Sequence, residues 1–203
     1  MEYTKPASED VVKKTAENLK SHGINVYVAK NREDAKNKVF SILPEGAEVM
    51  TMTSVTLSTL GIEHEINESG KFNAIKKKLY SMDIKTQGKE MQKLGATPEW
   101  AIGSVHAVSE DGKVIIASNT GSQLPAYAYG SSHVIWVVGT HKIVKNLDEG
   151  FKRIYEHSLP LESERAKKAY GVPGSAVNKL LILNHENIQG RINIIFVPEV
   201  LGF

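Results

Sequence analysis

Six consecutive small or polar residues, Ser118-Asn119-Thr120-Gly121-Ser122-Gln123, stand between the apolar run Val114–Ala117 and a helix-compatible segment. A loop that leaves the carboxyl end of a strand and enters a helix is where open α/β sheets usually hold their ligands. Its small side chains leave backbone N–H groups accessible, so Gly121 and Ser122 are the best anion-binding candidates, with Ser118, Asn119 and Gln123 beside them. A second junction of this kind runs from Thr53 to Thr59, with five hydroxyl residues where a helix N-terminus would present unpaired amides. Ser54 and Thr56 could hold a phosphate or carboxylate there. Simple helix capping by Thr53 or Ser54 explains the same residues more cheaply.

One histidine stands close to this chemistry. His106 lies in Gly103-Ser104-Val105-His106-Ala107, inside a predicted strand. It could serve as acid or base, and a half-buried histidine that merely satisfies its hydrogen bonds is the competing explanation. Gly103 would let a ligand or a neighbouring backbone approach closely, which brings Ser104 into the candidate site as well. Arg165, Lys168, Asn178 and Lys179 could supply charge, although an exposed helix face and a strand flank account for them as readily.

Other chemistry is argued against. The chain has no GxSxG elbow, Walker A lysine motif, HExxH helix or GxGxxG fingerprint. The seven histidines are scattered and none pairs at i+2 or i+4, which speaks against a metal enzyme. Having no cysteine, the chain carries no disulfide, thiolate nucleophile or cysteine-bound cluster, and no cofactor is evident in it. Net charge is only +2, from 25 basic and 23 acidic residues, so nothing supports nucleic acid as a partner. Mixed runs such as Asn31–Lys38 and Lys142–Arg153 read as solvated helix faces, and so does the basic run Lys76-Lys77-Lys78. No secretory signal opens the sequence and no apolar stretch approaches the ~18 residues of a membrane span, so a cytoplasmic location is expected.

The elements that must position these residues follow from periodicity. Ser8 can cap a first helix with Val12, Ala16 and Leu19 on one stripe, ended by Gly23. A strand over Ile24–Ala29, a helix capped by Asn31 and stopped near Pro44, and a strand over Glu48–Met52 come next. Such alternation predicts an α/β fold with a mostly parallel sheet flanked by helices. Residues 62–70 read as a connector, Phe72–Leu79 and Asp83–Leu94 as helices, and Thr97–Glu99 as the start of a further helical turn. Residues 62–100 together look like a helical insertion or a lid on one domain spanning 1–203. Asp111-Gly112 between apolar runs predicts a β-hairpin with a type I′ turn. Val134–Val138 reads as a central strand covered on both faces. Asn146 with Glu149 resembles a capping box ahead of a helix with Leu147, Phe151 and Ile154 on its apolar face. A helix over Leu161–Tyr170 and strands over Leu180–Leu183 and Ile192–Val197 complete the pattern.

The runs ATPEWAIGSVHAVSEDGKVIIASNTGSQLPAYAYG, VIWVVGTHKIV, LPLESERAKKAYGVPGSAVNKLLIL and PEVLGF resemble the LUD domain, a lactate-utilisation family that includes the LutC/YkgG type. The resemblance covers roughly residues 45–203 well and the first helices loosely. It implies a fold like that of the NagB/RpiA/CoA-transferase group and a link to oxidation of L-lactate to pyruvate beside iron–sulfur partner subunits. A cysteine-free chain agrees with a subunit that carries no cluster itself. Three functions are therefore expected, in this order. The first is binding of a small anionic metabolite at converging strand-end loops, with His106 the nearest acid–base group. The second is a non-catalytic subunit that docks redox partners through its apolar tail, Val200–Phe203. The third, by fold analogy alone, is an enzyme of sugar-phosphate or CoA type.

Overall fold

The computed structural model describes residues 3–203. In chain order its elements are α1 (Glu9–Ser21), β1 (Asn25–Val28), α2 (Arg32–Ile42), β2 (Glu48–Thr51), α3 (Val55–Thr59), α4 (Ile62–Glu68), β3 (Asn73–Ala74), α5 (Ile75–Tyr80) and α6 (Ile84–Ala96). Then follow β4 (Trp100–Gly103), β5 (Ala107–Ser109), β6 (Val114–Ser118), β7 (His133–Gly139), β8 (Ile143–Val144), α7 (Leu147–Arg153), α8 (Leu159–Tyr170), β9 (Lys179–Leu183) and β10 (Ile192–Val197). Among the described residues no helix is long and apolar enough to cross a membrane.

Six strands form one sheet in the order β1-β10-β7-β4-β2-β3, and every pairing in it is parallel. Strand residues alternate strictly between its two faces, as the period-2 geometry of a strand requires. Ile102, Ile135, Val137, Ile195 and Val197 pack under α2, α3 and α4, against Ala35, Val39, Leu57, Leu60, Ile62 and Ile66. On the opposite face Ala101, Val134, Trp136, Val138, Ile194 and Phe196 meet Val12 and Leu19 of α1 and the inner side of a second sheet. Val134–Val138 is buried throughout, as expected of a strand covered twice.

The second sheet, β8-β5-β6-β9, holds the hairpin. Val114 and Ile116 of β6 face the main sheet, while Ile115 and Ala117 face outward onto Val144 and Ile154. A Cβ on Gly150 of α7 would come within 2.3 Å of Ile115 Cδ1, so a residue without a side chain lets that helix settle on the sheet. The chain passes from the main sheet into the second sheet twice, once between Gly103 and Ala107 and once between Gly139 and Ile143. His106 therefore sits in a bend between two sheets and not within a strand. Two consecutive short strands replace the single long one that the apolar pattern suggested.

Several local expectations need correction. The hairpin turn is not type I′, because among the described residues only glycines have positive φ and Asp111 is thereby excluded from the left-handed region. Gly112 alone takes it (φ 86°) and Gly112 N–H closes on Ser109 carbonyl at 2.8 Å, a type I turn followed by a bulge. Residues 62–68 are helix α4 and not a connector, since Ile62 and Ile66 present a one-turn apolar pair to the core. Thr97–Glu99 does not begin a helical turn: Thr97 ends α6 and Glu99 leads into β4. Within 62–100 lie the edge strand β3 as well as three helices.

The expected caps are present at two helices. Asn31 Oδ1 accepts from Asp34 N–H (2.9 Å) and Asn146 Oδ1 from Glu149 N–H (3.0 Å). The tail, Val200–Phe203, is folded back onto the body: Leu201 is buried and its carbonyl accepts from the Thr56 hydroxyl at 3.0 Å.

Candidate functional site

The strands β2, β4, β7 and β10 all end at one edge of the main sheet, and the chain leaving each contributes to a cavity of about 450 Å³. Thr53, Ser54 and Thr56 come from the end of β2, Ser104 and His106 from the crossing between β4 and β5, Lys142 from the crossing between β7 and β8, and Phe203 from the tail. Ser118, Asn119, Ser122 and Gln123 line it from the loop after β6, and Tyr127 from the segment behind that loop. Of the candidate residues read from the sequence, Ser54, Thr56, Ser104, His106, Ser118, Asn119, Ser122 and Gln123 meet around this cavity. Gly103 and Gly121 do not line it.

The expected anion cradle at Ser118–Gln123 is satisfied from within. Ser118 Oγ accepts from Gly121 N–H at 2.8 Å, and Thr120 Oγ1 from Ser122 N–H at 3.3 Å. Asn178 and Lys179 brace the loop by donating to Asn119 Oδ1 (2.8 Å) and the Thr120 carbonyl (3.0 Å). At the other junction Ser54 caps α3 by accepting from Leu57 N–H (3.4 Å). With five residues α3 offers side chains and very little dipole.

A count of the remaining donors shows what a ligand would find. Gln123 Nε2 donates to the Ala117 carbonyl (3.3 Å), leaving its second N–H free. Ser54 keeps its hydroxyl proton. Ala117 N–H donates to His106 Nδ1 at 3.1 Å, which places the imidazole proton on Nε2. Burial, then the nearby charges of Lys142 and Arg153, push His106 down to a pKa of about 3. At neutral pH it is an uncharged donor, and a poor base.

The charge at the inner end comes from two residues that read as solvated in the sequence. Lys142 is 2 % exposed, and its Nζ lies 3.3 Å from Thr56 Oγ1 and 3.2 Å from Ser104 Oγ. Arg153 is fully buried behind it, where Nη1 donates to the His106 carbonyl and to Ser158 Oγ (2.9 Å). Neither cation forms an ion pair with a carboxylate among the described residues. Burial and then Arg153 hold the Lys142 amine well below the ordinary lysine range, while Arg153 itself falls only to about 10 and stays charged. Lys76, also read as solvated, is buried against Glu63 at the cavity wall. Arg165 lines the cavity but is held by Glu162 through two bonds of 2.7 Å. Lys168 does not reach it.

Sequence reasoning missed Lys142, Arg153 and Tyr127. Arg153 follows Gly150 by three residues, so it shares the helix face that packs on Ile115, and that spacing was the available signal. Tyr127 sits in a wide turn whose Ser131 N–H reaches back five residues to the Ala126 carbonyl. Arg191, paired with Glu186, clamps that turn by donating to the Ser131, Ala126 and Tyr127 carbonyls at 2.9–3.1 Å.

The role of Gly103 follows from this clamp. A Cβ there would stand 1.8 Å from the Tyr127 hydroxyl and 3.3 Å from Met52 Cβ. Tyr127 is buried edge-on against Trp136 (ring centroids 5.3 Å apart) and cannot swing away. Gly103→Ala is expected to destabilise the protein by about 1–3 kcal/mol in urea unfolding. Most of that loss should return in the Tyr127→Phe background, which removes the clashing oxygen. An unchanged midpoint for Gly103→Ala alone would refute this account.

Comparison with known proteins places this arrangement. No curated protein matches the chain. A crystal structure of a DUF162 family protein from Deinococcus radiodurans has the same fold, with a TM-score of 0.57 over 95 % of this chain and 99 % of that one, at 13 % sequence identity. The LUD domain family model matches residues 12–197, which takes in both sheets and all but the tail of the cavity wall, and the chain therefore belongs to the LUD domain family.

Proposed function

We propose that this protein binds a small organic acid in the cavity and acts in lactate or related organic-acid metabolism. The observation that carries the reading is Lys142. It is a buried amine in the wall of the cavity, with two hydroxyl neighbours and no carboxylate paired to it among the described residues. Isolated buried charge is costly, and a lysine in such a place ordinarily has a carboxylate beside it. An entering carboxylate supplies the missing negative charge. Arg153, charged and close behind, biases the same end of the cavity positive. Free donors on Ser54, Gln123 and His106 are suited to the remaining oxygens of a hydroxy or oxo acid. Membership of the LUD domain family, and the resemblance of its central motifs to lactate-utilisation proteins, support this choice of substrate class.

The test is a thermal-shift and calorimetric series with L-lactate, pyruvate and longer hydroxy and oxo acids, against sugar phosphates and CoA. A ligand at a hundredfold excess over its dissociation constant stabilises the folded state by about 2.7 kcal/mol. An organic acid is expected to give such a shift. Stabilisation by sugar phosphate or CoA alone would replace the reading with the enzyme class suggested by fold analogy. No shift with any organic acid would end it.

A further inference from the structure

We propose that Lys142 is a covalent carbonyl-capturing residue: its amine forms a reversible imine with a 2-oxo acid held in the cavity. This rests on the organic-acid reading above and narrows it to acids that carry a ketone next to the carboxylate.

The hydrogen-bond accounting around Nζ supports an amine in the resting site. Thr56 has committed its hydroxyl proton to the Leu201 carbonyl, so towards Lys142 its oxygen can only accept. Ser104 Oγ is the other neighbour. An ammonium has three protons to place and finds two oxygens here. A neutral amine has two protons and a lone pair, and Ser104, whose hydroxyl can turn, is able to donate to that lone pair. Charge points the same way, since among the described residues no carboxylate pairs with an ammonium here and the Arg153 guanidinium opposes it. Desolvated lysine amines next to another cation are the ones that act as nucleophiles towards carbonyls. The hydroxyl and amide donors of Ser54 and Gln123 remain available for the substrate carboxylate, and His106 Nε2–H for the carbonyl oxygen.

The step balances without any further reactant. The Nζ lone pair adds to the carbonyl carbon and the π pair moves onto oxygen. A proton then passes from nitrogen to that oxygen, with the Ser104 hydroxyl as relay, giving a carbinolamine. Loss of the hydroxyl as water, with the second nitrogen proton, leaves the imine. Ketone and amine have become imine and water, and nothing has been oxidised or reduced.

The experiment is reductive trapping. The intact protein is incubated with pyruvate at neutral pH, treated with borohydride, digested and analysed by mass spectrometry. One reduced pyruvate adduct is expected, on the peptide containing Lys142. Excess L-lactate, which lacks the carbonyl, should protect it. Lys142→Met and Lys142→Arg should lose the adduct while keeping the circular dichroism spectrum of the parent, and Ser104→Ala should slow its formation. A thermal shift with pyruvate but no adduct at Lys142 would overturn the imine and leave the binding reading standing. Equal labelling of exposed lysines would overturn it too. Absence of any shift with pyruvate or lactate would remove both together.

Discussion

Lys142→Met is expected to make the protein more stable and at the same time unable to hold its ligand. The lysine is 2 % exposed and among the described residues its hydrogen-bond partners are two hydroxyls, so the folded state strands an amine where an apolar chain of similar length would fit. Replacing buried ionic groups by apolar residues of like volume often stabilises proteins by a few kcal/mol. The expected gain is about 1–3 kcal/mol, or roughly 2–4 °C in melting temperature per kcal/mol for a chain of this size. Organic-acid affinity should fall roughly tenfold to a hundredfold, the worth of one hydrogen bond to a charged group. Urea unfolding and calorimetry on the same preparation measure both. A destabilised variant with unchanged affinity would show that Lys142 is an ordinary structural residue.

A second large effect is expected in acid. His106 and His141 are each pushed down to about 3, by burial first and then by Lys142 and Arg153. In the unfolded chain they titrate near the ordinary value of about 6.5. Between those values the unfolded state binds protons that the folded state refuses, so stability is fully present above about 6.5 and drains away as pH falls. Each histidine removes about 1.4 kcal/mol per pH unit within that window. The pair should therefore cost roughly 4 kcal/mol between pH 7.5 and 5. His157, lowered for the same reasons, adds to the loss in the same direction. Urea midpoints across this range give the slope, and His141→Gln, which leaves the cavity wall intact, should cut it by about half. A flat profile would mean that these rings find protons or water in the folded state.

How much of this could be read in advance differed by the range of the interaction responsible. Val134–Val138 declared itself a doubly covered strand because five consecutive apolar residues admit little else. The Asn31 and Asn146 caps were legible because a cap is decided within four residues. The strand-end position of the cavity, and eight of its lining residues, also followed from local pattern. Lys142 did not, since Gly139-Thr140-His141-Lys142 has the composition of any solvated loop. Its burial is produced by Thr56, Ser104 and the returning tail, which lie 86, 38 and about 60 residues away in the chain. The Ser118–Gln123 loop misled for the opposite reason. Its composition is that of a phosphate cradle, but its own hydroxyls reach the amides first.

The two places where the chain passes from the main sheet into the second carry Ser104 and His106 in one case and His141 and Lys142 in the other. The 3.2 Å contact between Lys142 and Ser104 is thus a stitch across the seam of the molecule. The cavity is lined from both sides of that seam and by Phe203 of the tail. A substitution deep between the layers, far from the cavity, is therefore expected to shift the Lys142–Ser104 contact as one in the cavity wall would.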